Sequence, residues 1–169
     1  MDTEMTGGRP TMARKQRAES GGKREPGTPG AFSRWMQHRM NARMNRKVRR
    51  GRGTFMGMDV LILHTVGRRS GERRETPVAW FAGDDEDARL IVASGGGSRH
   101  PDWFANLMAH SDRASIELPG GDTVRVTPHR LDGDDRERAW QRIATAQPRI
   151  AKYQSKSERR YPVVRLTPR

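Results

Sequence analysis

The chain has 169 residues, a length that favours one domain with one real core. Its hydrophobic share of 33% is low for a packed chain, so part of it is expected to stay outside the core, and the lack of any cysteine excludes disulfides and thiolate metal sites. Of the net charge of +13, residues 1–57 hold +10 and residues 58–169 only +3, a remainder that does not resemble a nucleic-acid-binding surface.

Residues 1–30 are polar and end in Pro26-Gly27-Thr28-Pro29-Gly30. They offer almost nothing to bury and read as a disordered tail. The start, Met1-Asp2-Thr3-Glu4, lacks a signal-peptide pattern, and no apolar run reaches transmembrane length, so the expected location is cytoplasmic. Over residues 31–50 the pattern turns helical. Phe32, Trp35, Met36, Met40, Met44 and Val48 recur at spacings of three and four along one face. Arg34, Arg39, Arg43, Arg46, Lys47, Arg49 and Arg50 occupy the other, with no acid in the segment. Such a helix can pack its methionine stripe on the domain, or rest on an anionic membrane surface at the inner face of the cell membrane. Binding of RNA or DNA is its least favoured role.

Gly51-Arg52-Gly53 ends the helix, and residues 51–169 form the main domain. Strands are expected over residues 60–65, 76–82 and 90–94, with Pro77 near the entry of the second. A flexible run, Gly95-Gly96-Gly97-Ser98-Arg99-His100-Pro101, leads to a short helix that Asp102 can cap. Residues 113–118 and 123–127 read as a hairpin joined by Pro119-Gly120-Gly121-Asp122. Residues 134–146 read as a helix with an acidic first turn, Pro148 interrupts that helix or the segment after it, and residues 161–166 read as the last strand. No helix-length segment separates the first strands, so the predicted fold class is mainly β, an antiparallel barrel of about six strands with peripheral helices.

Two glycine-bearing stretches follow strand ends and can bind an anion. In Val66-Gly67-Arg68-Arg69-Ser70-Gly71-Glu72-Arg73-Arg74, glycines admit close backbone approach and arginine forks match phosphate or carboxylate oxygens. The same residues read equally well as a charged hairpin tip. The second stretch runs from Ser94 to His100, ahead of a helix N-terminus. The five histidines show no metal-ligand spacing, and nucleophile-elbow, dinucleotide and Walker patterns are missing. A barrel with anion-binding loops can still be an enzyme when a bound cofactor carries the reaction.

Three ordered blocks sharpen this reading. Leu61-Ile62-Leu63-His64-Thr65-Val66-Gly67-Arg68-Arg69-Ser70-Gly71 with Arg74 and Pro77, then Ile91-Val92-Ala93-Ser94-Gly95-Gly96, then Pro101-Asp102-Trp103-Phe104-Ala105-Asn106-Leu107 stand at consistent spacing. Together with Tyr153-Gln154 and Arg160-Tyr161-Pro162-Val163-Val164, the chain over residues 32–167 resembles the deazaflavin-dependent nitroreductase family of actinobacteria. The resemblance implies a split β-barrel related to FMN-binding split barrels, and coenzyme F420 as cofactor. It implies that Arg68, Arg69, Ser70 and Arg74, on the turn shaped by Gly67 and Gly71, hold the phosphate and the anionic oligoglutamate tail. Pro77 and Ala79 would line the deazaflavin, and Ser94, Gly95 and Gly96 would contact it. Trp103 and Asn106 would complete the phosphate end, and Tyr153 would face the substrate. The chain departs from the family pattern at Gly95, where a lysine is common and Arg99 can replace its charge. It departs also at Ala79, where an aromatic is often found, at Ile150, where a second tyrosine is expected, and at His64, which stands for a threonine.

The expected activity is hydride transfer from reduced coenzyme F420 to a quinone, nitro compound or similar electrophile, with Tyr153 and Ser94 as the catalytic candidates and no metal. The alternatives are a non-catalytic lipid- or small-ligand-binding barrel and an FMN-dependent reductase.

Overall fold

A computed structural model describes residues 31–95 and 98–169; the predicted tail over residues 1–30 lies outside the described residues. Among the described residues are seven strands and four α-helices. They are α1 (Ala31–Arg49), β1 (Thr54–Phe55), β2 (Met58–Val66), β3 (Arg73–Ala82), β4 (Arg89–Val92), α2 (Asp102–Ala109), β5 (Ser115–Glu117), β6 (Thr123–Arg130), α3 (Gly133–Ala146), α4 (Pro148–Ser155) and β7 (Val163–Pro168).

The sheet order is β1-β2-β3-β4-β7-β6-β5, and β5 pairs back onto β2, so β2 to β7 close into a six-stranded antiparallel barrel with β1 as an extra strand beside β2. Closure removes most of the sheet edge. One stretch stays open: Arg73 to Ala79 of β3 pair with β2 alone, and β4 joins β3 only at Trp80, Phe81 and Ala82. Pro77 sits in that half-paired stretch, where a proline is tolerated.

The strand ends differ from expectation for local reasons. β4 stops at Val92 because the Ser94 N–H turns back to the Val92 carbonyl at 3.0 Å. β7 starts at Val163 because the Tyr161 N–H goes to Gln154 Oε1 at 2.6 Å and Pro162 has none. β5 is shortened by a 3₁₀ turn over Ser111–Arg113. The hairpin at Pro119-Gly120 is as expected: Gly120 has φ +67° and the Gly121 N–H bonds the Leu118 carbonyl at 3.0 Å, a type II turn with proline first and glycine second. Asp102 is the first residue of α2 rather than its cap; Pro101 takes the cap position, and the Asp102 carboxylate is used elsewhere.

Alternation on the strands sorts the core into layers. Leu61, Leu63, Val78, Ile91, Val126, Val164 and Leu166 fill the barrel with Phe104 and Leu107 of α2. On the outer face, Val60 and Ile62 meet Val48 and Met44 of α1. On another outer face, Leu90, Val92 and Val163 are covered by Ala139 and Ile143 of α3 and Ile150 of α4.

Helix α1 is therefore divided. Its second half packs, while Trp35, Met36 and Met40 of the same stripe remain exposed. Arg49, expected on the solvated face, turns inward instead. Its Nε donates to Glu117 Oε2 at 2.8 Å, and its Nη2 donates to Glu117 Oε1 and Glu75 Oε1, each at 2.9 Å. His64 Nε2 donates to the same Glu117 Oε1 at 2.8 Å. The guanidinium holds the Glu117 carboxyl below its ordinary value, with a smaller contribution from His64. Glycine closes the helix as predicted: Gly51 has φ +76°, and the Val48 carbonyl accepts the N–H of both Gly51 and Gly120.

Candidate functional site

The turn between β2 and β3 is a short loop over residues 67–72 with two internal backbone–backbone bonds. The Gly67 N–H donates to the Glu72 carbonyl and the Gly71 N–H to the Gly67 carbonyl, each at 2.8 Å. Its glycines serve different ends. Gly71 adopts φ +68°, while a side chain on Gly67 would put its Cβ 2.6 Å from Ser70 Oγ. Arg68 is pinned to α2: its backbone N–H and its Nη1 donate to Asn106 Oδ1 at 3.1 and 3.2 Å, and Nη1 reaches Asp102 Oδ1 at 3.1 Å. Asn106 is buried, so this contact sets the turn on the helix that plugs the barrel. Arg74 pairs with Glu72 at 2.6 Å, and Arg69 and Ser70 face solvent. Exposed ion pairs of this kind are weak and exchange readily with an arriving anion.

The second loop meets the other side of the same helix start. Ser94 and Gly95 are exposed, and their carbonyls accept from Arg159 Nη2 at 3.4 and 3.0 Å. Arg159 Nη1 also bonds the Ala93 carbonyl at 2.9 Å and His100 Nδ1 at 3.0 Å. His100 leans on Phe104 of α2, ring centroids 5.0 Å apart, and Trp103 meets Phe104 edge-on at 6.1 Å. Burial first, then the nearby Arg159 and Arg130 charges, lower the His100 pKa, which favours the neutral ring. Gly96 lies outside the described residues; Arg99 is exposed.

The structure thus collects Gly67, Arg68, Ser70, Gly71, Arg74, Trp103 and Asn106 at one end of α2, with Ser94 and Gly95 tied to it through Arg159 and His100. It separates Pro77 and Ala79 from Arg74. Val78 points into the barrel with Arg74 on the same side of β3, while Glu75, Pro77 and Ala79 share the outer face that α1 approaches. A ligand touching both sets must cross the half-paired edge of β3. Tyr153 stands on α4, 57% exposed, and its carbonyl accepts from Tyr161 Oη at 3.3 Å.

Sequence reasoning missed two clusters. Arg159 carries no motif, since its partners are backbone carbonyls. His64, Glu75 and Glu117 come from three strands, and their ligand-type atoms lie within 4.8 Å of one another, a grouping no local spacing reveals. The Arg49 guanidinium already bridges both carboxylates there.

The donor chemistry of the turn suits an anionic cofactor: three guanidinium groups around two glycines, with the carboxylates of Glu72 and Asp102 only in exposed pairs. At the same end of the barrel the buried Thr65 hydroxyl, register partner of Arg74, has no hydrogen-bond partner. A closed antiparallel barrel with an arginine turn seated on a buried asparagine defines a split-barrel protein whose exposed turn has the chemistry to meet phosphate or carboxylate oxygens. Residues 35–168 match the family described as F420H(2)-dependent quinone reductase. The chain is 33% identical over 149 residues to the F420H(2)-dependent quinone reductase Rv1261c of Mycobacterium tuberculosis, covering 82% of this chain and 99% of that one. A solved F420-H2 dependent reductase (FDR-A) is similar at 29% identity and a TM-score of 0.54, covering 63% of this chain and 92% of that one. A structure described as a domain-swapped dimer shares the fold, with a TM-score of 0.57 and 24% identity over 80% of this chain and 99% of that one. This chain belongs to the F420H(2)-dependent quinone reductase family.

Proposed function

We propose that the chain is an F420H2-dependent reductase acting on a quinone, and that nitro compounds and similar electrophiles fall within its acceptor range. The observation that carries the reading is the arginine turn, fixed on buried Asn106 through Arg68 and matched in chemistry to an anionic tail. Reduced coenzyme F420, when bound, supplies the hydride. The chain's own residues bind and orient. Arg68, Arg69, Ser70 and Arg74 hold phosphate and carboxylates; Ser94 and Gly95 contact the ring from the exposed loop; Trp103 shields the phosphate end. Tyr153, exposed on α4, orients the acceptor, and its hydroxyl donates the proton that accompanies hydride in forming a quinol. Titration of the purified chain with oxidised and reduced coenzyme tests this. Saturable binding that is lost in Arg69→Glu is expected; no binding by the unaltered chain refutes it, and a preparation carrying a flavin spectrum would transfer the role to FMN.

A second reading concerns α1. Among the described residues no helix is long and apolar enough to cross a membrane. Yet Trp35, Met36 and Met40 stand exposed beside Arg39, Arg43 and Arg46. An exposed aromatic and apolar stripe flanked by cations suits the headgroup level of an anionic bilayer. We infer a peripheral position on the inner face of the membrane, where lipid-soluble quinones reside. Binding to vesicles containing anionic lipid should disappear in the Trp35→Ala, Met40→Asp double variant.

A further inference from the structure

Arg159 lies in the connection between α4 and β7, and its backbone is held on the α4 side. Its N–H donates to Ser157 Oγ at 3.2 Å, and its carbonyl accepts from Ser157 Oγ at 3.0 Å and Gln154 Nε2 at 2.8 Å. Gln154 is the neighbour of Tyr153 and also accepts the Tyr161 N–H. The side chain crosses to the other side of the site. It packs over the Tyr161 ring at 4.8 Å and gathers the carbonyls of Ala93, Ser94 and Gly95 together with His100 Nδ1. One guanidinium therefore joins the helix that carries Tyr153 to the loop that carries Ser94 and Gly95.

Its effect on that loop follows from peptide geometry. In a trans peptide the C=O and N–H point in opposite directions. Drawing the Ser94 carbonyl onto Arg159 turns the Gly95 N–H away from it, toward the exposed side of the loop. A guanidinium fork suits this task because several donors lie in one plane; an ammonium group has no fixed plane to hold three carbonyls at once.

We propose that Arg159 is a positioning residue, which orients the Ser94–Gly95 backbone toward the bound cofactor and fixes its separation from Tyr153. The inference rests on the reductase reading for its ligand, but the contact itself can be checked without any ligand.

Two measurements on the full chain decide it. The first is the affinity for oxidised coenzyme F420, followed by fluorescence, in the unaltered chain, Arg159→Met and Arg159→Lys. Loss of the charge-assisted bonds that preorder the loop should weaken binding about tenfold in Arg159→Met and about threefold in Arg159→Lys, which keeps the charge without the fork. The second is the pH titration of the His100 ring by NMR in the cofactor-free protein. The nearby guanidinium opposes protonation of His100, so the midpoint should rise in Arg159→Met and stay closer to that of the unaltered chain in Arg159→Lys. A purely structural role elsewhere in the chain would not move that midpoint. An unmoved His100 midpoint in Arg159→Met removes the support for a close Arg159–His100 contact and overturns the proposal. So does a coenzyme affinity unchanged within twofold in a folded Arg159→Met variant, or in Arg159→Lys if the methionine variant does not fold. Failure of the unaltered chain to bind coenzyme overturns the reductase reading and this proposal together, whereas unchanged affinity in the variants overturns this proposal alone.

Discussion

Replacing Arg49 by methionine tests how α1 is fastened to the barrel. The change keeps the aliphatic stem but removes three bonds: two to Glu117, at 2.8 and 2.9 Å, and one to Glu75 at 2.9 Å. Breaking a fully buried pair costs about 3–5 kcal/mol and an exposed one about 1 kcal/mol or less. Here the Glu117 side chain is 11% exposed and Arg49 is 42% exposed, and His64 stays to share the stranded carboxylate. The loss should fall between those limits, at about 2 kcal/mol. For a chain of this size that is about 4–8 °C in Tm, read by calorimetry or circular dichroism at neutral pH. The loss should also depend on pH. The Glu117 carboxyl is held below its ordinary 4.5, first by its hydrogen bond to Arg49. A depressed carboxyl contributes stability that is fully present above pH 4.5 and is lost as pH falls through the folded value. The gap between the unaltered chain and Arg49→Met should therefore narrow in acid. A Tm change under about 1 °C at neutral pH, or a gap that widens on acidification, would refute this account of the clamp.

Asn106→Leu should leave the barrel folded but loosen the Gly67–Arg68 turn, because two of the three bonds from Arg68 end on Asn106 Oδ1 and only the exposed one to Asp102 would remain; coenzyme affinity should drop about tenfold while far-UV circular dichroism is unchanged. Gly53→Ala should be among the costlier small substitutions, since its Cβ would fall 2.2 Å from Pro119 Cγ and 2.9 Å from the Val60 carbonyl; about 2–3 kcal/mol in chemical denaturation is expected. The Trp35→Ala, Met40→Asp pair changes exposed residues, so its midpoint of denaturation should stay within about 0.5 kcal/mol of the original even as vesicle binding is lost. Ile143→Ala empties a fully buried position between α3 and the barrel and should cost about 2–5 kcal/mol, without changing coenzyme affinity in the protein that remains folded.

Local chemistry by itself determined much of this protein. The apolar run in β2, the Pro119-Gly120 turn and the acid-headed α3 each depend on neighbours in sequence, so their existence and order were legible. The arginine turn and the asparagine-bearing helix were legible as blocks, because glycine at a left-handed φ and an arginine fork act over a few residues. What tertiary structure alone decided is how those blocks meet. Only the closed barrel brings Asn106 beneath Arg68, across a separation of 38 residues, or sets Arg159 against carbonyls more than 60 residues earlier. The α1 stripe shows the same division. Periodicity marked Trp35, Met36, Met40, Met44 and Val48 as one face, but only the outer surface of β2 determines which of them are covered. Arg49 looked like one more solvated cation. Its pairing with Glu75 and Glu117 depends on strands from different parts of the chain closing beside it, and a contact made through closure leaves no mark in the sequence around it.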